Sequence, residues 1–134
     1  LSLHDALPIL GTYGTAAFGA PEAPRAATVV MAYTGQSTCT EFDPPTYAVV
    51  GENDGIAPAR VMERRIEALA AAGVPAGIEV FPHLGHGFGL GVGTSAEGWT
   101  EEAIAFWEQE GLGGAWVDGK PRGTSLTTPT SGRA

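Results

Sequence analysis

Three short apolar runs constrain this chain more than any other feature: "ATVVMAY" at 27–33, "TYAVV" at 46–50 and "GIEVF" at 77–81. Each has strand length and carries β-branched residues, and the first two are continuous rather than alternating in hydrophobicity. A strand with one wet face alternates. Continuous runs therefore predict strands buried on both faces, the pattern of a parallel sheet covered by helices. Between the second and third runs, "ARVMERRIEALAAAG" places Val61, Met62, Ile66 and Leu69 on one helical face. Pro58 sits where a first turn tolerates it and Gly73 supplies the stop. Arg60, Glu63, Arg64 and Glu67 fall largely on the opposite side, which predicts a solvated face. A second helix is expected over "SAEGWTEEAIAFWEQE", 95–110, with Ser95 as its cap and Ala103, Ile104 and Trp107 facing inward. Strand, loop, strand, helix, strand, loop, helix is the cadence of an α/β protein with a mainly parallel sheet.

Composition narrows the partners. A chain of 134 residues is one domain at most. Its 43% hydrophobic and 16% charged residues are globular in character. A net charge of -8 argues against nucleic acid, whose phosphates call for a basic surface, and equally against an anionic membrane. No apolar run approaches the roughly 20 residues of a membrane-spanning helix. The expectation is a soluble chain with the cytoplasm favoured. Its lone Cys39 supports neither an internal disulfide nor a zinc site, so no metal or other cofactor is expected. Oligomeric state is left open.

Outside the periodic segments the chain divides readily. "LSLHDALPI", 1–9, is the peptide encoded by a common short-read sequencing adapter and is expected to be non-native, so His4 and Asp5 carry no functional weight. Residues 10–24 read as a loop, and "TGQSTCTEFDPP" as a polar loop between the first two strands. From Gly111 to Ala134 the sequence loses periodicity and is rich in Gly, Thr, Ser and Pro, which predicts a disordered tail. Residues 10–110 are thus expected to form part of an α/β domain of about three strands and two helices.

Sites in open α/β sheets form at the carboxyl ends of strands. The 46–50 strand runs into "GENDGIAP" and delivers Asp54; the 77–81 strand runs into "PHLGHGF" and delivers His86. A carboxylate and an imidazole on neighbouring strand ends can pair, the acid fixing the tautomer while the imidazole acts as general base. Asp54 could instead stabilise a turn or cap the following helix, and His86 could bond the backbone. Glu52 reads as a surface residue, Asp43 as part of the loop before the strand, and His83 as a bystander. No nucleophile fits. The nearest approach to G-x-S-x-G, "GQSTC" around Ser37, has Cys39 where the second glycine belongs and runs into two prolines that prevent a helix. Ser95 follows the histidine.

With these residues in view, about 10–109 resembles the C-terminal part of α/β-hydrolase-fold esterases and lipases, in the acetyl-xylan-esterase-like and dienelactone-hydrolase-like group. "PPTYAVVGENDGIAP" is similar to the family's strand and G-x-x-D acid turn, and "FPHLGHGFGLG" to its G-H-G-F histidine loop. "LGTYGTAAFGAPEAPRAATVVMAYTG" resembles the stretch after the nucleophile helix. The resemblance implies an incomplete α/β-hydrolase fold with Asp54 as triad acid and His86 as general base. It implies a small-molecule ester as substrate, and a nucleophilic serine and oxyanion hole supplied by sequence upstream. Gly87 and Phe88 would shape the approach to the histidine, and 89–98 would rim the pocket. Two competitors are a prolyl-oligopeptidase-type peptidase, whose catalytic domain ends in the same way, and a non-catalytic α/β binding module.

Overall fold

The computed structural model describes residues 26–112, with short strands at 116–117 and 120–121. The segments 1–9 and 10–24 lie outside the described residues, as does most of 111–134. The chain forms strands β1 (Val29–Ala32), β2 (Thr46–Gly51) and β3 (Ala76–Phe81), helices α1 (Ala59–Ala71) and α2 (Trp99–Phe106), and a π-helical segment, Trp107–Leu112. β1, β2 and β3 make a parallel sheet in that order, with Thr46 beside Val29 and Ala76, and Gly51 beside Phe81. Trp116–Val117 and Lys120–Pro121, β4 and β5, pair antiparallel. Because the three sheet strands run the same way, the loops leaving Ala32, Gly51 and Phe81 emerge on one side of the sheet.

Only the central strand meets the expectation of burial on both faces. Every residue of β2 is buried, whereas β3 is half-buried up to Phe81, and Val30 in β1 is 44% exposed. An apolar run reports what a strand can bury. It does not report whether the strand has neighbours on both sides, and among the described residues β1 and β3 are the edges.

The pleat of β2 divides the core into two layers. Ala48 and Val50 face α1, where Met62, Ile66 and Leu69 pack with Met31 and Val74. Burying side chains such as Leu69 and Met62 stabilises by about 1.5–3 kcal/mol each. α1 ends as its sequence directs. Gly73 takes φ 82°, its N–H bonds Ala70 O, and Val74 N–H reaches back to Leu69 O, closing a Schellman turn that brings Val74 onto Leu69. Val61, expected on the core face, is only half-buried, and Arg65 is buried instead. Arg65 survives there because each part of its head is partnered. Nη2 lies 2.6 Å from Asp43 Oδ2, Nε donates to Thr38 O at 3.0 Å, and Nη1 lies 3.2 Å from Met31 Sδ. The other Asp43 oxygen accepts from the Thr40 N–H and hydroxyl. This buried pair ties the 33–45 connection to α1. Removing one partner would strand a buried charge, at a cost of about 3–5 kcal/mol.

On the opposite face Tyr47 and Val49 pack with Phe81, Ala96 and Ala103. α2 presents Trp99, Ala103 and Phe106, spaced i, i+4, i+7, with the Phe106 ring 5.5 Å from that of Tyr47. The expected Ile104 and Trp107 sit one step round the helix, 52% and 40% exposed, so only Ala103 of the expected face is buried. Nor does Ser95 cap this helix. Gly98, in the left-handed region, precedes its first turn, and Ser95 Oγ donates to Pro82 O. Among the described residues the buried Tyr47 hydroxyl has no partner in hydrogen-bonding geometry. Burial, then the nearby Glu79 carboxylate, push its pKa well above the usual phenol range, so it stays protonated. Among the described residues no helix is long and apolar enough to cross a membrane.

Candidate active site

The turn after β2 places Asp54. Its N–H bonds Gly51 O at 3.1 Å, and its Oδ1 accepts the N–H groups of Ile56 at 2.8 Å and Ala57 at 2.7 Å. The turn-stabilising role open to an aspartate here is therefore filled, but by one oxygen only. The helix itself receives no side-chain cap. Asp54 Oδ2 is left for another partner.

That partner is His86. Its Nδ1 lies 2.9 Å from Asp54 Oδ2, with the aspartate side chain fully buried and the imidazole 27% exposed. Burial alone would raise the Asp54 pKa. The N–H groups of Ala57 and Ile56, together with His86, outweigh it and hold the carboxyl below its ordinary value. An ionised acceptor at Oδ2 favours, in the neutral imidazole, the tautomer with its proton on Nδ1 and a lone pair on Nε2. An imidazole so oriented can accept a proton from a hydroxyl or thiol placed at Nε2.

The two loops are laced together at their roots. Glu52 N–H bonds Phe81 O, Asn53 N–H bonds Leu84 O, and His83 N–H bonds a Glu52 carboxylate oxygen. Glu52 is exposed, as the sequence suggests, and His83 contributes through its backbone. Gly51 permits this closeness: a Cβ there would fall on Leu84 O and 2.6 Å from Gly85 O, both backbone atoms. Within "GENDG" the first glycine reads as turn punctuation, and nothing in the sequence marks it as the point where the histidine loop crosses the acid strand.

Tyr33, the first residue past β1, is a second feature missed from sequence. Its ring meets that of His86 at 5.2 Å, interplanar angle 72°, and that of Phe88 at 4.9 Å. Phe88 in turn meets Phe81 and Trp99 edge-on, and the Trp99 indole donates to Gly89 O. Phe88, expected beside the histidine, thus supports the site from the core side. The loop beyond it turns through Gly89, Gly91 and Gly93, all at positive φ, and leaves Leu90 and Val92 exposed. Neither Ser37 nor Ser95 is brought into hydrogen bonding with His86, and Cys39 packs against the α1 side of the core. Among the described residues there is no cluster of His, Cys, Asp or Glu able to hold a metal ion.

With that geometry in view, a family model, that of the dienelactone hydrolase family, matches residues 13–105. The chain belongs to the dienelactone hydrolase family. Among solved structures, it is similar to the acetyl ester-xyloside bifunctional hydrolase of Caldicellulosiruptor lactoaceticus, at 21% identity and TM-score 0.58, over 63% of this chain and 43% of that one. It is also similar to MGS-M1, an alpha/beta hydrolase from a Medee basin deep-sea metagenome library, at 17% identity and TM-score 0.56, over 75% of this chain and 47% of that one. The likeness establishes an α/β-hydrolase fold, of which the described parallel sheet and two helices are part. The matched region spans less than half the length of either structure. Among curated proteins none matches the chain.

Proposed function

We propose that this family member supplies the acid and general base of a serine-dependent carboxylic-ester hydrolase. The observation that carries the reading is the Asp54–His86 pair: one carboxylate oxygen held by two backbone N–H groups, the other on Nδ1 of a partly exposed imidazole. In this reading a serine on a G-x-S-x-G turn, and the amides of an oxyanion hole, come from sequence preceding the described residues. The serine hydroxyl attacks the ester carbonyl carbon as its proton passes to His86 Nε2. The imidazolium, stabilised by Asp54, then protonates the departing alcohol and leaves an acyl-enzyme. His86 next takes a proton from water, which attacks the acyl carbonyl, and the proton returns to serine as the acid leaves.

No metal or cofactor enters these steps. The substrate is a small-molecule ester, and residues 10–110 belong to the catalytic domain; the family match at 13–105 supports that reading. The test is His86→Ala in the complete enzyme, assayed on short-chain acyl esters. Hydrolysis should fall by about 10³-fold or more with the substitution. Full activity would overturn the assignment, and a preference for aminoacyl-proline substrates would move the enzyme to the peptidase class.

A further inference from the structure

The Asp54–His86 hydrogen bond fixes one corner of the imidazole and leaves its plane undetermined. A histidine ring turns about a broad, soft torsion, so a ring pinned at Nδ1 alone can still swing, carrying Nε2 away from any group it must serve. The loop gives no help of its own. Gly85 and Gly87 flank His86, both are exposed, and neither has a side chain to pack against the ring.

Among the described residues, the one aromatic neighbour of His86 comes from elsewhere in the fold. Tyr33 lies beyond the end of β1, 53 positions before His86 in the sequence, and sets its ring edge-to-face on the imidazole at 5.2 Å. That separation and tilt lie in the favourable range for aromatic pairs. Its backbone adopts φ 42°, a conformation that a bulky side chain reaches only under constraint. The constraint is visible at both ends: Tyr33 N–H bonds Val49 O at 2.8 Å, extending the sheet ladder by one residue, and the ring is wedged between His86 and Phe88. Phe88 is itself seated on Phe81 and Trp99. The imidazole therefore leans on a chain of rings that ends in the core.

We infer that Tyr33 is a positioning residue that fixes the plane of the His86 imidazole, so that Asp54 and Tyr33 together determine where Nε2 points. The inference rests on the reading of His86 as general base, and it assigns the task to the ring of Tyr33, not to its hydroxyl. The 134-residue chain labelled with ¹⁵N-histidine tests it. In the wild type the two ring nitrogens of His86 should resonate far apart, as expected for one tautomer with Nδ1 protonated. Tyr33→Phe should leave that separation unchanged. Tyr33→Leu should draw the two resonances together, as the ring leaves Asp54 for part of the time.

Methyl resonances of Val49 and Leu69 report whether each variant keeps its core. Tyr33→Asn, which removes the ring and tolerates the left-handed backbone, serves where the leucine variant does not fold. In the complete enzyme, Tyr33→Leu should lower kcat by about tenfold with little change in KM, and Tyr33→Phe should restore it. A fixed tautomer in folded Tyr33→Leu overturns the inference and leaves the catalytic pair standing. Equal damage from Tyr33→Phe overturns it in favour of the hydroxyl. Averaged nitrogens in the folded wild type, at a pH alkaline enough for the imidazole to be neutral, would instead refute the Asp54–His86 pairing, and the proposed function with it.

Discussion

The turn after β2 and the loop after β3 each deliver one residue to the candidate site, and they hold it by opposite means. Asp54 is fully buried at its side chain, and its restraints are local: Gly51, Ile56 and Ala57 all lie within three residues of it. His86 is partly exposed and sits among glycines, three of which, Gly87, Gly89 and Gly91, take positive φ. Its restraints come from other elements: Asp54 Oδ2, the Tyr33 ring, and the Asn53 N–H that grips the loop at Leu84. The acid is held autonomously and the histidine by dependence. In a pair of this kind, damage to the acid turn should reach the histidine, while damage to the histidine loop should stop short of the acid.

The largest effect expected from this contrast is that of Asp54→Asn. The asparagine oxygen can still accept from Ile56 and Ala57, so the turn survives. Its amide, however, donates toward Nδ1 and favours the tautomer with the proton on Nε2, where a general base needs a lone pair. In the complete enzyme, ester hydrolysis should fall by about 10³–10⁴-fold. Thermal unfolding should show the fold retained. Asp54→Ala should in addition lose about 1–3 kcal/mol by stranding the two N–H groups. Near-normal hydrolysis by Asp54→Asn would mean that the histidine does not depend on the acid.

Gly51→Ala probes the junction itself. Its methyl would collide with the backbone of Leu84 and Gly85, so the histidine loop must lift off the acid turn. The expected cost is about 1–3 kcal/mol in stability, with a loss of roughly 10- to 100-fold in hydrolysis by the complete enzyme. Amide exchange distinguishes the two regions. The Asn53 amide, bonded to Leu84 O, should exchange faster, while those of Ile56 and Ala57, bonded to Asp54, should hardly change. Equal acceleration of all three would erase the distinction between an autonomous acid and a dependent histidine.

The same contrast explains how much could be read from the sequence. β2, the Met62, Ile66 and Leu69 face of α1 and the turn at Gly73 were legible because each is set by local pattern or backbone chemistry. Asp54 and His86 were legible as candidates because strand ends in parallel sheets converge. The rest depends on contacts between distant segments. Arg65 has the spacing of a core position, but an arginine reads as solvated until Asp43, 22 residues earlier, is seen beside it. Among the described residues, Val30 is exposed and Val49 is not because one strand lies at the edge and the other in the centre, which apolar content does not encode. The phase of α2 was not legible because both candidate faces are apolar, Ala103 with Ile104 and Trp107 or with Trp99 and Phe106, and the neighbouring Tyr47 ring selects the face bearing Phe106. Tyr33 and Gly51 carry no local signal of their tasks, since each is defined by the loop that crosses it.

The smallest expected effect bears directly on the autonomy of the acid. Burial opposes ionisation of Asp54, and the N–H groups of Ala57 and Ile56, with His86, overcome it, so the folded carboxyl releases its proton more readily than the unfolded one. Its contribution to stability is then fully present above the unfolded carboxyl pKa, about 4, and is lost as pH falls through the folded value. Asparagine at this position has no such proton to take up. The stability advantage of the wild type over Asp54→Asn, followed by thermal unfolding, should therefore hold near neutrality and shrink as the pH is lowered from about 5 toward 3. Repeating the series in His86→Ala separates local from borrowed stabilisation. If the turn alone holds the charge, most of the pH-dependent advantage persists without the imidazole. If it vanishes, the acid depends on the histidine as much as the histidine on the acid, and the two loops are a single cooperative unit.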